Sequence, residues 1–435
     1  MGVRLSVLAL ILAFGAAVAS AAPERPVVYV IRVDGVISPA SATYIQRAIT
    51  EAHRAGAAAL VVELDTPGGL LRSTDDITKA LLNAPLPVIV YVSPAGARAA
   101  SAGVFVVYAS HVAAMAPTTN LGAATPIAVG EGQETESQRT ALRKATEDSV
   151  AKIRTIAERR GRNADWAERA IREAASISSE EAVRLRVIDF LAADLAELLV
   201  RADGRTVEVG GERRLLRTRG AETVRLEMDV RERLLDVLAE PNVGLILMTI
   251  AIYGIIFELN NPGAIFPGVV GAIALILAFT SFAILQVNYA GLALIGLSVA
   301  LFITELFTPG FGVLGVGGII SFILGGILLT SNQEPYLRTS VELVLVLGLL
   351  TGAFFLFAVG AGLRAQRRRP SSGREALVGA VGVARSEIAP AGTVFVQGEL
   401  WTAEADGDPI QPGERVRVVG LEGLRLRVRR EGERS

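Results

Sequence analysis

Residues 58–109 read AALVVELDTPGGLLRSTDDITKALLNAPLPVIVYVSPAGARAASAGVFVVYA. Two short apolar runs, Ala58–Leu64 and Leu86–Val92, each pass through a turn of small residues into a helical pattern, Ser73–Asn83 and then Ala102–Ala109. Strands apolar on both faces that alternate with helices predict a mostly parallel sheet covered on both sides. Moving outward, Val27–Val33 and Val112–Met115 supply further strands, and Ala40–Ala55 another helix. Thr140–Arg160 predicts a longer helix ended by Gly161, followed by helices over Ala164–Ala175 and Ser179–Arg186. Ser178 and Ser179 before Glu180 and Glu181 form a cap with first-turn acids. Residues 203–222 are rich in Arg and Gly and predict a small strand pair or a linker. Residues 23–225 are thus expected to form one α/β domain.

The rest of the chain is of other kinds. Residues 1–22 have a basic start at Arg4, an apolar run and the small-residue pattern Ala19-Ser20-Ala21, the form of a secretory signal peptide. Residues 226–242 read as an amphipathic linker. Residues 243–363 hold five apolar stretches: Val243–Phe257, Ile265–Leu285, Leu292–Phe307, Phe311–Leu329 and Val341–Leu363. The second, fourth and fifth are long enough for a hydrocarbon core of about 30 Å and the other two are shorter, which predicts an all-α multi-pass transmembrane domain of four to five helices. Glu258-Leu259 before Pro262-Gly263 recurs as Glu305-Leu306 before Pro309-Gly310. Two helices separate the copies, so both fall on one membrane side, where they read as interfacial turns. Arg364, Arg367, Arg368 and Arg369, in the basic linker 364–374, mark the cytoplasmic end of the last helix. Five crossings then leave the α/β domain extracytoplasmic in a multi-pass cell-membrane protein. Residues 375–430 offer five strand-like runs, Leu377–Ala384, Gly392–Val396, Glu399–Ala405, Glu414–Val419 and Arg425–Val428, which predict an all-β OB-like small barrel. Phe395 and Trp401 are expected in its core, and its role is expected to be protein interaction or assembly.

Composition narrows the chemistry. A net charge of −1 gives no global pull toward nucleic acid. Cysteine is absent and the histidines are His53 and His111, so no zinc cluster of Cys and His can form. The lysines are Lys79, Lys144 and Lys152; the other basic residues are arginine, which does not accept a proton near neutral pH. Ser101, in Ala100-Ser101-Ala102-Gly103, sits at a strand-to-helix turn where helix N–H groups can hold an oxyanion. The Gly68-Gly69 turn can bring a second donor close. A serine nucleophile needs a base, and on the residues alone either histidine or any of the three lysines remains open.

These motifs resemble the long form of the NfeD family, membrane-bound serine proteases that operate with stomatin- or flotillin-type partners. The matching segments are TPGG at 66–69, ASAG at 100–103, MAPTTNLGAA at 115–124, GRN at 161–163, SSEEAVRLRVID at 178–189, the membrane repeat and the terminal barrel. The first domain is similar to the Clp-protease and signal-peptide-peptidase superfamily, with its crotonase-like fold. The resemblance implies Ser101 as nucleophile and Lys144 as general base, counting back from Gly161. It also implies backbone oxyanion donors at Gly69 and Ala102. Gly68, Leu70 and Leu121 are expected to bind substrate, beside Leu71. No cofactor and no metal is implied. The expected partners are a stomatin-, flotillin- or prohibitin-type membrane protein, an apolar peptide segment, the lipid membrane and further copies of the chain, with no nucleic acid. Ala99-Ala100 replaces a more Gly-rich lead-in, and the loop 125–143 departs from the family and is expected to order on substrate binding. A non-catalytic scaffold for the same partner is the alternative. An acyl transfer using coenzyme A is disfavoured by the extracytoplasmic placement.

Overall fold

In a computed structural model, residues 25–126, 136–260, 263, 265–307, 312–366 and 377–432 are described. The signal segment, part of the loop before Glu136 and most of the basic linker lie outside them. The first structural unit runs to Leu350 and the second from Thr351.

The first unit opens on a six-stranded sheet. Its strands are β1 (Val27–Asp34), β2 (Ala59–Asp65), β3 (Val88–Val92), β5 (Val112–Met115), β8 (Phe190–Leu191) and β11 (Glu222–Arg225), after β4 (Arg98–Ala100), β6 (Asn120–Gly122), β7 (Ser176–Ser178), β9 (Thr206–Val209) and β10 (Glu212–Leu215) are set apart. The spatial order is β11-β1-β2-β3-β5-β8, and every pairing is parallel. The apolar runs are continuous because alternate residues feed two cores. Leu60, Val62 and Leu64 enter one, while Ala59 and Val61 enter the other. The connecting helices are α1 (Pro39–Arg54), α2 (Leu71–Leu82), α3 (Ala102–Ala109), α4 (Glu136–Arg160), α5 (Ala164–Arg172), α6 (Ser179–Arg184) and α7 (Leu195–Ala202). Strands β4, β6 and β7 make a separate three-stranded sheet, and β9 and β10 form the hairpin expected in the Arg- and Gly-rich stretch.

Helix α4 begins at Glu136, so residues 136–143 are helical and only part of the expected 125–143 loop is loop. The serine cap also forms: Ser178 Oγ accepts the Glu181 N–H at 3.3 Å. The expected linker 226–242 contains a helix, α8 (Val230–Leu238), because Asp229 and Glu232 cap it reciprocally.

Five apolar helices follow: α9 (Pro241–Asn260), α10 (Phe266–Leu285), α11 (Tyr289–Phe307), α12 (Val313–Leu329) and α13 (Val341–Gln366). Three windows, Pro241–Leu259, Phe266–Leu285 and Pro335–Phe354, are long and apolar enough to cross a membrane. The lengths correct the expectation for the first and fourth stretches. Helix α9 starts back at Pro241 and reaches 20 residues, whereas α12 stops at 17. Glycines set the packing: a Cβ on Gly254 would lie 2.8 Å from Gly271 Cα, and one on Gly318 about as close to Phe302. At one end of the bundle, Glu305 accepts the N–H groups of Gly312 (2.7 Å) and Gly315 (3.1 Å), so this carboxylate caps α12. At the other end, Asn242, Leu285 and residues 329–340 are hydrogen-bonded together.

The second unit holds a closed barrel of β12 (Val381–Ala384), β13 (Ala391–Val396), β14 (Glu399–Ala405), β15 (Arg415–Glu422) and β16 (Arg425–Arg430). Its order β12-β13-β14-β16-β15, with β14 and β16 parallel and the other pairs antiparallel, is that of an OB barrel. Trp401 packs against the core as expected, but Phe395 does not. Val394 and Val396 take the inward positions of β13, so Phe395 points out and lies under the Arg385 guanidinium.

Candidate active site

Ser101 stands between β4 and α3, at φ 50° and ψ −111°. This is a left-handed conformation for a side-chain-bearing residue and costs about 1–3 kcal/mol. The turn is held from three sides. Ser101 N–H donates to Gly122 O at 3.0 Å, Ala100 N–H to Thr66 O at 3.0 Å, and Thr66 N–H to Arg98 O at 2.7 Å. Helix α3 is buried along its whole length, and Ser101 caps it without a side-chain hydrogen bond. The hydroxyl therefore projects at the positive end of a buried helix, beside the Ala102 N–H.

The TPGG turn lies directly against it. Gly68 N–H donates to Thr66 Oγ1 at 3.1 Å, and Leu70 N–H donates to Ile37 O at 2.9 Å. The Gly69 N–H between them faces the Tyr336 hydroxyl instead. Gly68 has φ +133°, and a Cβ there would come within 2.8 Å of Ser101 Cβ, so only glycine fits. Gly103 is equally constrained: its Cβ would lie 2.8 Å from Thr66 Cγ2. The glycines of both motifs are thus explained by the approach of one turn to the other.

Ser101, Gly69 and Ala102 line one cavity of about 490 Å³. Its apolar wall is Leu71, Phe105, Ala141, Leu142 and Ala145, and Gln286 and Glu334 reach it from the membrane block. Burial raises the Glu334 carboxyl pKa above its usual range, partly offset by Arg338. The expected substrate residues divide. Leu71 lines the cavity, Gly68 abuts Ser101, Leu70 caps α2, and Leu121, in β6, is buried in the core. The membrane-block residues carry no motif, so nothing in the sequence pointed to them.

The candidate bases are spread out. Lys79 and His53 are exposed. His111 accepts the Val88 N–H at Nδ1 (3.2 Å), and burial holds its pKa down at about 3. It follows the C-terminal end of α3, roughly 12 Å of helix from Ser101. The Lys152 ammonium is paired with Asp75 and lies 5.8 Å above the Phe105 ring. Lys144 is exposed, next to the lining residue Ala145. Among the described residues no lysine or histidine lines the cavity.

The GRN segment sits behind the site. Gly161, at φ +68°, ends α4, and Asn163 caps α5. Buried Arg162 donates to Tyr108 O (2.7 Å), Ser110 O (3.0 Å) and Asp189 Oδ2 (3.1 Å). This motif clamps the far end of the helix that carries Ser101.

Residues 27–225 match the NfeD1b N-terminal domain, residues 242–361 the NfeD integral membrane domain, and residues 374–430 the NfeD-like C-terminal, partner-binding domain. The chain is 38% identical to the membrane-bound protease PH1510 of Pyrococcus horikoshii over 416 residues, 94% of each chain. It is 27% identical to the membrane protein NfeD1b of Bacillus subtilis, again over 94% of each. Among solved structures it is similar to the 1510-N membrane protease specific for a stomatin homolog from Pyrococcus horikoshii, at 32% identity. That match covers 50% of this chain and 100% of the other, with a TM-score of 0.42.

Proposed function

Because the chain belongs to the NfeD family, in its long form with all three domains, we propose that it is a membrane-bound serine endopeptidase using Ser101 as nucleophile and Lys144 as general base. The observation that carries this reading is Ser101 itself. It is held in a left-handed conformation at the start of a buried helix, and with Gly69 it lines one side of a largely apolar cavity.

In the proposed reaction, neutral Lys144 takes the Ser101 hydroxyl proton as Oγ attacks the scissile carbonyl. The carbonyl oxygen becomes an oxyanion held by the Gly69 and Ala102 N–H groups. Collapse breaks the C–N bond, and Lys144 gives its proton to the leaving amine. Water, deprotonated by Lys144, then attacks the acyl-enzyme; the C–Oγ bond breaks, Lys144 returns the proton to Ser101 Oγ, and the acid is released. The wall of Leu71, Phe105 and Leu142 suits apolar substrate side chains. A stomatin- or flotillin-type membrane protein is the proposed substrate and partner, in keeping with the named specificity of the archaeal relative's protease domain. We further propose that the protease domain is extracytoplasmic, that the barrel is cytoplasmic and engages the partner, and that the chain works as a dimer or larger assembly.

The scaffold reading draws support from the cavity's lack of a lysine or histidine among the described residues. Hydrolysis of apolar peptides by the full chain in detergent separates the two. The protease reading requires Ser101→Ala and Lys144→Ala each to lose about 10³-fold or more in rate. Activity lost with Lys152→Ala and kept with Lys144→Ala would reassign the base. A wild-type chain no faster than Ser101→Ala would leave the scaffold.

A further inference from the structure

The turn between α12 and α13 reaches Ser101 from the membrane block. It is a built element. Gln333 Nε2 donates to Leu285 O at 2.7 Å, Thr339 N–H to Thr330 Oγ1 at 2.7 Å, and Ser340 N–H to Asn242 Oδ1 at 2.9 Å. Leu337, in the 3₁₀ turn Pro335–Leu337, is buried. At the tip, the Tyr336 hydroxyl is shielded from solvent and faces the Ser101 side chain and the Gly69 N–H. It meets full hydrogen-bond geometry with neither. Any Cβ on Gly68 would overlap this hydroxyl and crowd the ring carbon behind it.

A scissile carbonyl attacked by Ser101 must place its oxygen on the same Gly69 N–H. Carbonyl and tyrosine hydroxyl therefore compete for one small space. We infer that Tyr336 is an active-site plug supplied by the membrane domain, so that the oxyanion position is freed and Ser101 fully exposed only when the 331–340 turn withdraws. This rests on the reading of Ser101 as nucleophile. The plug is tied to the ends of α9, α10 and α12 and leads into α13, so a shift among these helices moves it. An element packed in one place or another, with little between, is what makes such a shift a switch.

Cysteine is absent from the chain, so Ser101→Cys introduces a lone thiol. Its rate of reaction with a small, charged methanethiosulfonate is measured on the full chain in detergent. Glu212→Cys, at an exposed strand position, serves as the control for folding and reagent. Adding Tyr336→Ala to Ser101→Cys is expected to raise the rate about tenfold or more. Tyr336→Phe, which keeps the ring, is expected to stay within about threefold. On the Ser101 background, Tyr336→Ala is expected to speed apolar peptide hydrolysis. An unchanged thiol rate with Tyr336→Ala overturns the plug. Slower hydrolysis with both Tyr336 variants at an unchanged thiol rate makes the tyrosine an oxyanion donor instead. A faster thiol with no hydrolysis in any variant keeps the plug and refutes the protease.

Discussion

Replacing Arg162 by methionine removes the donors that close the far end of α3. In the wild type, the guanidinium serves Tyr108 O at 2.7 Å, Ser110 O at 3.0 Å and Asp189 Oδ2 at 3.1 Å. Its side chain is 4% exposed, so water cannot take over these roles. Breaking a buried ion pair by removing one partner costs about 3–5 kcal/mol. The low end applies, because Asp189 is 32% exposed and keeps the Ala113 N–H at 2.7 Å. A loss of about 3 kcal/mol in a domain of this size lowers the unfolding midpoint by about 6–12 °C. The chain supplies its own probe. Of its two tryptophans, Trp166 stacks on Tyr108 with ring centroids 6.1 Å apart, and the other, Trp401, is in the barrel. In a Trp401→Phe background, thermal fluorescence therefore reports on the protease domain. Arg162→Lys, which keeps the charge but not the fork of donors, should fall between wild type and methionine. A midpoint shift below about 2 °C for Arg162→Met would show that the clamp contributes little.

His111 should make the same domain acid-sensitive. Its folded pKa is held at about 3, chiefly by burial and further by Arg160, Arg162 and Arg159, against an ordinary value of 6.5. The unfolded chain therefore binds the extra proton first, and stability present above pH 6.5 is lost as pH falls toward 3. By pH 5 the loss is about 2 kcal/mol relative to pH 7. His111→Gln retains an acceptor for Val88 and should flatten that part of the midpoint-versus-pH curve; an unchanged curve rules the histidine out. In the membrane block, Glu305→Gln removes the charge and leaves one of the two N–H groups, of Gly312 or Gly315, without an acceptor. It should cost about 1–2 kcal/mol in a thermal-shift measurement, with no loss meaning that the cap is dispensable.

Local patterns carried most of the fold. Helix Ala102–Ala109 and strand Val112–Met115 have the bounds their sequences imply, because small and β-branched residues mark them off sharply. Strands β4, β6 and β7 were illegible. Each is three residues long; β4 and β6 give the TPGG and ASAG turns backbone partners, and β7 completes the sheet on β6. The nucleophile turn was readable, since a serine among alanine and glycine at a strand-to-helix junction has few other uses. Tyr336 was not: nothing around it marks a site, and its meaning depends on a bundle folding back onto a distant domain. The GRN motif was visible as a motif, but its task as a clamp required the carbonyls of α3 to be located first.

The lysine assignment depends on the face of α4. Ala141, Ala145 and Ser149 line the cavity at four-residue spacing, so one stripe of the helix faces Ser101. Lys152 lies three residues beyond that stripe, but its ammonium is committed to Asp75. Lys144 adjoins the stripe at Ala145, within the helix's first turns, and has a long side chain directed to solvent. On the proposed mechanism, activity then needs two changes around the same cavity: Lys144 must turn inward and Tyr336 must leave. A peptide chain entering along Ala141 and Leu142 would shield the first from water, and a shift of the membrane helices would bring about the second. The proposed dyad would then be completed by two coupled events, substrate entry and helix movement.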